Sequence, residues 1–89
     1  MELIIHFNKL PEGMDLAGLK SELDYVLEEN GWLVGSRQDG ESGSVELELE
    51  DERLNPKYGI LAVKNYLQQR AFAPDTTIEL AGMPVGIYE

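Results

Sequence analysis

Few side chains in this sequence combine chemical reactivity with scarcity. His6 is the only histidine, and there is no cysteine. The missing thiols exclude a disulfide framework, a thiolate zinc site and an iron–sulfur site. One imidazole supplies one nitrogen, and a transition-metal site normally gathers more nitrogen or sulfur than that. Beside a carboxylate, His6 offers a metal-ligand pair or a pH-sensitive contact. The plainer reading is an exposed histidine next to an acid, with Glu46 the expected neighbour. Ser36, Ser42 and Ser44 border a turn, where small polar residues are common, and none lies in a G-x-S-x-G elbow. No glycine-rich phosphate loop is present, because Gly40 and Gly43 fall between two strands and not between a strand and a helix. Carboxylates are so abundant that no one pair stands out for acid–base work. The chain is therefore read as not an enzyme, with no cofactor and no metal.

The abundance of acid is itself the main signal. Seventeen acidic residues against seven basic ones give a formal net charge of −10. Affinity for nucleic acid comes chiefly from Lys and Arg neutralising phosphates, so this balance argues against DNA and RNA. Between Arg37 and Arg53 there is no base, yet Asp39, Glu41, Glu46, Glu48, Glu50, Asp51 and Glu52 all fall there. A second group, Glu22, Asp24, Glu28 and Glu29, falls at the end of an expected helix. Acids in a last helical turn oppose the helix dipole, at about 0.3–1 kcal/mol each.

These residues need elements to position them. Glu2 to Asn8 is a short apolar, β-branched run and reads as a strand. Pro11 and Gly13 mark a loop. Asp15 is a good N-cap, with Met14 and Leu19 placed as a hydrophobic staple. Leu16, Leu19, Leu23, Val26 and Leu27 recur at helical spacing, and Asn30-Gly31 is the expected helix end, with Gly31 in the left-handed C′ position. Trp32 to Arg37 is a second strand, with Trp32 expected to plug one end of the core or, as the alternative, to anchor an interface. After a turn over 39–43, Ser44 to Glu50 alternates without a break, Val45, Leu47 and Leu49 on one face and Glu46, Glu48 and Glu50 on the other. Asn55-Pro56 starts a second helix, which runs to about Ala71 with Ile60, Val63, Leu67 and Ala71 as its buried stripe. Thr76 to Ala81 is a strand, Gly82-Met83-Pro84 a turn, and Val85 to Tyr88 a short last strand.

The order strand, helix, strand, strand, helix, strand resembles the split βαβ, or ferredoxin-like, arrangement. It implies a two-layer α+β sandwich in one domain over 1–89: an antiparallel sheet ordered 4-1-3-2, both helices on one face, and the extra C-terminal strand beside the fourth. RNA-binding domains of this shape carry stacking aromatics on the first and third strands; here the third carries glutamates. In this arrangement Glu28, Glu29, Glu50, Asp51 and Glu52 converge at one edge near Glu2, and Glu46 and Glu48 extend them over the sheet. The expected function is a protein-interaction module that binds a basic protein partner through these residues; in size and charge it resembles immunity proteins and antitoxins. The alternative is a small regulatory subunit of no catalytic activity that self-associates or binds a small ligand, which an exposed edge strand at Val85 to Tyr88 would favour through strand pairing. The chain is expected to be cytoplasmic, with no membrane segment, and a monomer or homodimer.

Overall fold

A computed structural model of the protein describes residues 2–27, 31–49, 57–80 and 82–88. The elements are β1 (Glu2–Phe7), α1 (Leu16–Leu27), β2 (Gly31–Asp39), β3 (Ser42–Leu49), α2 (Lys57–Gln69), β4 (Thr77–Leu80) and β5 (Met83–Gly86). The fold is α+β, with one open antiparallel sheet ordered β2-β3-β1-β4-β5. The sheet has five strands, with β5 paired to the outer side of β4. Among the described residues no helix is long and apolar enough to cross a membrane.

Strand alternation and helix stripes meet in one core. Leu3, Ile5 and Phe7 of β1, Val45, Leu47 and Leu49 of β3, and Ile78 of β4 are buried with Leu19, Leu23 and Leu27 of α1 and Val63, Tyr66 and Leu67 of α2. Both helices therefore cover the same face of the sheet. Asp15 caps α1 as its residue type suggests: its carboxylate accepts a hydrogen bond from Gly18 N at 2.7 Å, and its carbonyl accepts one from Leu19 N at 3.0 Å. Met14 and Leu19 both pack in the core, which completes the staple.

The end of α2 differs from the expectation. The helix stops at Gln69, and Ala71 is exposed, with φ of 59°. Ala71 N donates to Gln68 O and Phe72 N to Leu67 O, both at 3.1 Å. These two bonds make a Schellman motif, with Ala71 at C′ and the buried pair Leu67 and Phe72 as its apolar clasp. Ala71 is thus the helix stop and not part of the stripe. Its sequence signal was hidden because glycine is the residue usual there.

Gly31 also departs from expectation. It is the first residue of β2, is buried, and has no positive φ. A Cβ at this position would lie 2.6 Å from the carbonyl oxygen of Glu48, so Gly31 is needed for close approach to β3 and not for a turn. With Gly31 pointing inward, the pleat sends Trp32 outward, where it is 51% exposed. Trp32 therefore does not plug the core. The β2–β3 hairpin is tighter than expected: Asp39 pairs with Ser42, leaving Gly40-Glu41 as a two-residue turn with Gly40 at φ of 65°. That is the type II′ pattern, whose twist suits a hairpin. Met83 and Pro84, expected in a turn, belong to β5, and proline is tolerated there because the strand is an edge. Tyr88 lies beyond β5, and its hydroxyl donates to Phe72 O at 2.7 Å. Gln68 Nε2 donates to Ile87 O, so the C-terminal residues are tied to the end of α2.

Candidate functional site

The face of the sheet away from the helices carries the side chains that alternation left out of the core. In register they form three rows across the strands. Trp32, Glu48 and Glu2 make the first. Gly35, Glu46, Ile4 and Glu79 make the second, and Arg37, Ser44, His6 and Thr77 the third. The first two rows hold four carboxylates, contributed by three adjacent strands, β1, β3 and β4. They surround the half-buried Ile4, and the exposed Trp32 stands at their edge. Cross-strand neighbours on one face lie about 4.5–5.5 Å apart at Cβ, so these carboxylates share one surface.

Of the acids expected to bind a partner, Glu46 and Glu48 occupy the middle of this face and are half-buried. Glu28, Glu29, Glu50, Asp51 and Glu52 lie outside the described residues, as does their expected convergence. Asn55 and Pro56, the expected start of the second helix, lie outside them too.

The neighbour expected for His6 is different. Glu46 opposes Ile4, one row away, and His6 opposes Ser44. The carboxylate beside His6 is Glu79, with Nε2 to Oε1 at 3.4 Å. His6 is exposed and Glu79 half-buried, both open to solvent, so the pair contributes at most about 1 kcal/mol when the imidazole is protonated. No group of three or more metal-ligating side chains occurs among the described residues.

Trp32, Arg37 and Glu79 were not recognised as residues of this face. For Glu79 a signal exists: Ile78 and Leu80 are apolar neighbours, so Glu79 between them points out, onto the strand beside β1. For Trp32 and Arg37 the signal is masked by the run Trp32-Leu33-Val34, which shows no alternation, and by a bulge. Leu33 pairs with Leu47 but Gly35 pairs with Glu46, leaving Val34 as an extra residue.

The helical side of the molecule bears a second concavity. A shallow groove of about 500 Å³ runs between the helices, with Tyr25, Val26, Tyr66 and Arg70 in its walls. Arg70 forms a hydrogen-bonded ion pair with Glu22 that links the two helices across it. The Tyr66 hydroxyl is buried with no hydrogen-bond partner in good geometry. Burial raises its pKa above the ordinary tyrosine value, and the nearby Arg70 guanidinium offsets part of that.

The chain was compared with protein-family models, with curated proteins and with solved structures, and it matches none of them.

Proposed function

We propose that the protein is an interaction module whose acidic open sheet face binds a basic protein partner. The observation that carries this reading is the composition of that face: Glu2, Glu46, Glu48 and Glu79 in two adjacent rows, with exposed Trp32 at their edge. A sheet covered by helices on one side only leaves the other side for solvent or for a partner. Tryptophan on such a face is a typical anchor, because it supplies large apolar area and its ring attracts cations. The carboxylates beside it suit Lys and Arg, and their long-range attraction raises the association rate. An inhibitor of immunity or antitoxin type is one form that this function takes. A split βαβ reading of this α+β sheet, widened by one strand, agrees with a binding role but does not require it.

Self-association is the second reading, and the position of β5 favours it: four residues long, at the sheet edge, with Met83 exposed. Pro84 removes a donor from that edge, and the net charge of −10 opposes a like-charged copy, so the first reading is preferred. The test is affinity recovery from the native host with two baits, the wild-type chain and Trp32→Ala/Glu46→Gln/Glu48→Gln. A basic protein held by the first and lost by the second supports the reading. Equal retention by both, or a partner that binds the helical side, overturns it.

A further inference from the structure

Arg37 is the only lysine or arginine in the five strands. It reaches the open face because of the bulge at Val34. With regular pairing continued from Leu33 and Leu47, Arg37 would fall opposite Gly43, in a position directed toward the helices. The extra residue shifts the register, so that Arg37 opposes Ser44 and faces outward. Bulges commonly re-aim a side chain in this way, often beside a functional site.

The row that Arg37 joins lines a polar concavity of about 420 Å³, which falls in the range of small-molecule sites. His6, Ser44 and Thr77 continue the row across the sheet, and Asp39 and Asp75 also line the concavity. Asp75 already accepts a hydrogen bond from Asn8 Nδ2 at 2.8 Å. Arg37 and Asp39 lie two residues apart on one strand, about 7 Å along it. Both are exposed to the same concavity, yet neither makes an ion pair with the other or with any other described residue.

A cation and an anion held side by side without closing on each other present two complementary charges to a ligand. We propose that this concavity binds a small zwitterion of the amino-acid type, its carboxylate on Arg37 and its ammonium group on Asp39. The planar guanidinium suits a carboxylate in bidentate geometry. The Ser44 and Thr77 hydroxyls and the His6 imidazole line the rest of the floor and supply donors and acceptors to the ligand's side chain. The charge of the whole molecule selects among ligands. A net anion meets the field of a chain at −10, whereas a zwitterion carries no net charge and feels little of it. A simple cation would gain nothing from Arg37 and would be drawn to the carboxylate rows instead. The site lies at the opposite end of the face from Trp32 and Glu48, and its ligand does not depend on the protein partner proposed above.

The test is a backbone amide NMR titration of the full chain with glycine, serine and glutamine as zwitterions. Acetate, inorganic phosphate and methylammonium serve as single-charge controls. At least one zwitterion is expected to give saturable shifts confined to the Arg37–Ser44 hairpin, His6 and Thr77, and the controls none. Arg37→Gln and Asp39→Asn, both on exposed side chains, are each expected to weaken binding at least about tenfold, with the remaining amide shifts unchanged. The proposal is overturned if no zwitterion gives saturable shifts. It is equally overturned if acetate or phosphate saturates the same amides as strongly, or if either substitution leaves the affinity intact.

Discussion

At the scale of single residues, three positions show where local chemistry and the fold pull against each other. Ala71 holds a left-handed backbone at φ of 59° so that α2 can end in a Schellman motif. A non-glycine residue there costs about 1–2 kcal/mol. Ala71→Gly is exposed and relieves that strain at some cost in unfolded-state entropy, so it should raise stability by about 0.5–1 kcal/mol in urea unfolding. Gly31 is the opposite case. A methyl group at Gly31 would press on the backbone carbonyl of Glu48, which cannot move without breaking the β2–β3 ladder. Gly31→Ala should cost about 1–3 kcal/mol in the same measurement. Tyr66 titrates above its ordinary value of 10.0, mainly because burial disfavours the phenolate. A raised folded-state pKa means that the folded protein holds its proton where the unfolded chain has released it. Stability from this group is therefore complete below about pH 10 and is lost as pH rises through the folded value. Comparing alkaline unfolding of the wild type with Tyr66→Phe isolates this contribution: above about pH 10 the wild type should lose stability that Tyr66→Phe keeps, so their difference changes steadily with rising pH.

At the scale of elements, legibility followed the strength of the local signal. Alternation in β3 is unbroken, and Val45, Leu47 and Leu49 are buried as it indicates. The cap at Asp15 and the staple of Met14 and Leu19 were equally plain, because each is a short-range contact that needs no knowledge of the fold. Asp15→Ala should cost about 1 kcal/mol, measured by thermal or urea unfolding. β2 was poorly legible for a physical reason. Its inward glycine, three consecutive apolar residues and bulge at Val34 are all responses to β3 lying alongside, and a single strand's sequence does not display its neighbour. The bulge moves Arg37, since a shift of one reverses the face of everything beyond it. Arg37 lies beyond the bulge and was not recognised on the open face; Trp32 precedes it and was expected inside because it follows the expected helix end at Asn30-Gly31. Glu79 was within reach of the sequence, since it lies between apolar Ile78 and Leu80 on a strand expected beside β1, but it was not read onto the face.

At the scale of the whole molecule, the sheet divides the surface into a helix-covered side and an open side whose charge is uneven. Carboxylates fill the rows near Trp32, and the only strand cation stands at the far end. Such a surface should show no salt-dependent affinity for single- or double-stranded nucleic acid at micromolar protein, since a mobility shift needs more cations than the single Arg37 among its strand residues. The pole expected from Glu28, Glu29 and Asp51 can be tested together with the face: replacing them with amides should stabilise the chain slightly by relieving repulsion, and should slow association if they belong to the same surface. The central claim is that the acidic rows attract a basic partner. It is tested most directly by stopped-flow association rates between the chain and the basic protein it retains from the native host, measured across ionic strength. For the wild type the rate should fall steeply as salt rises. For Glu46→Gln/Glu48→Gln, with an unchanged circular dichroism spectrum, it should be about tenfold lower at low salt and nearly flat. A rate that is the same in both proteins at every salt concentration would contradict the account.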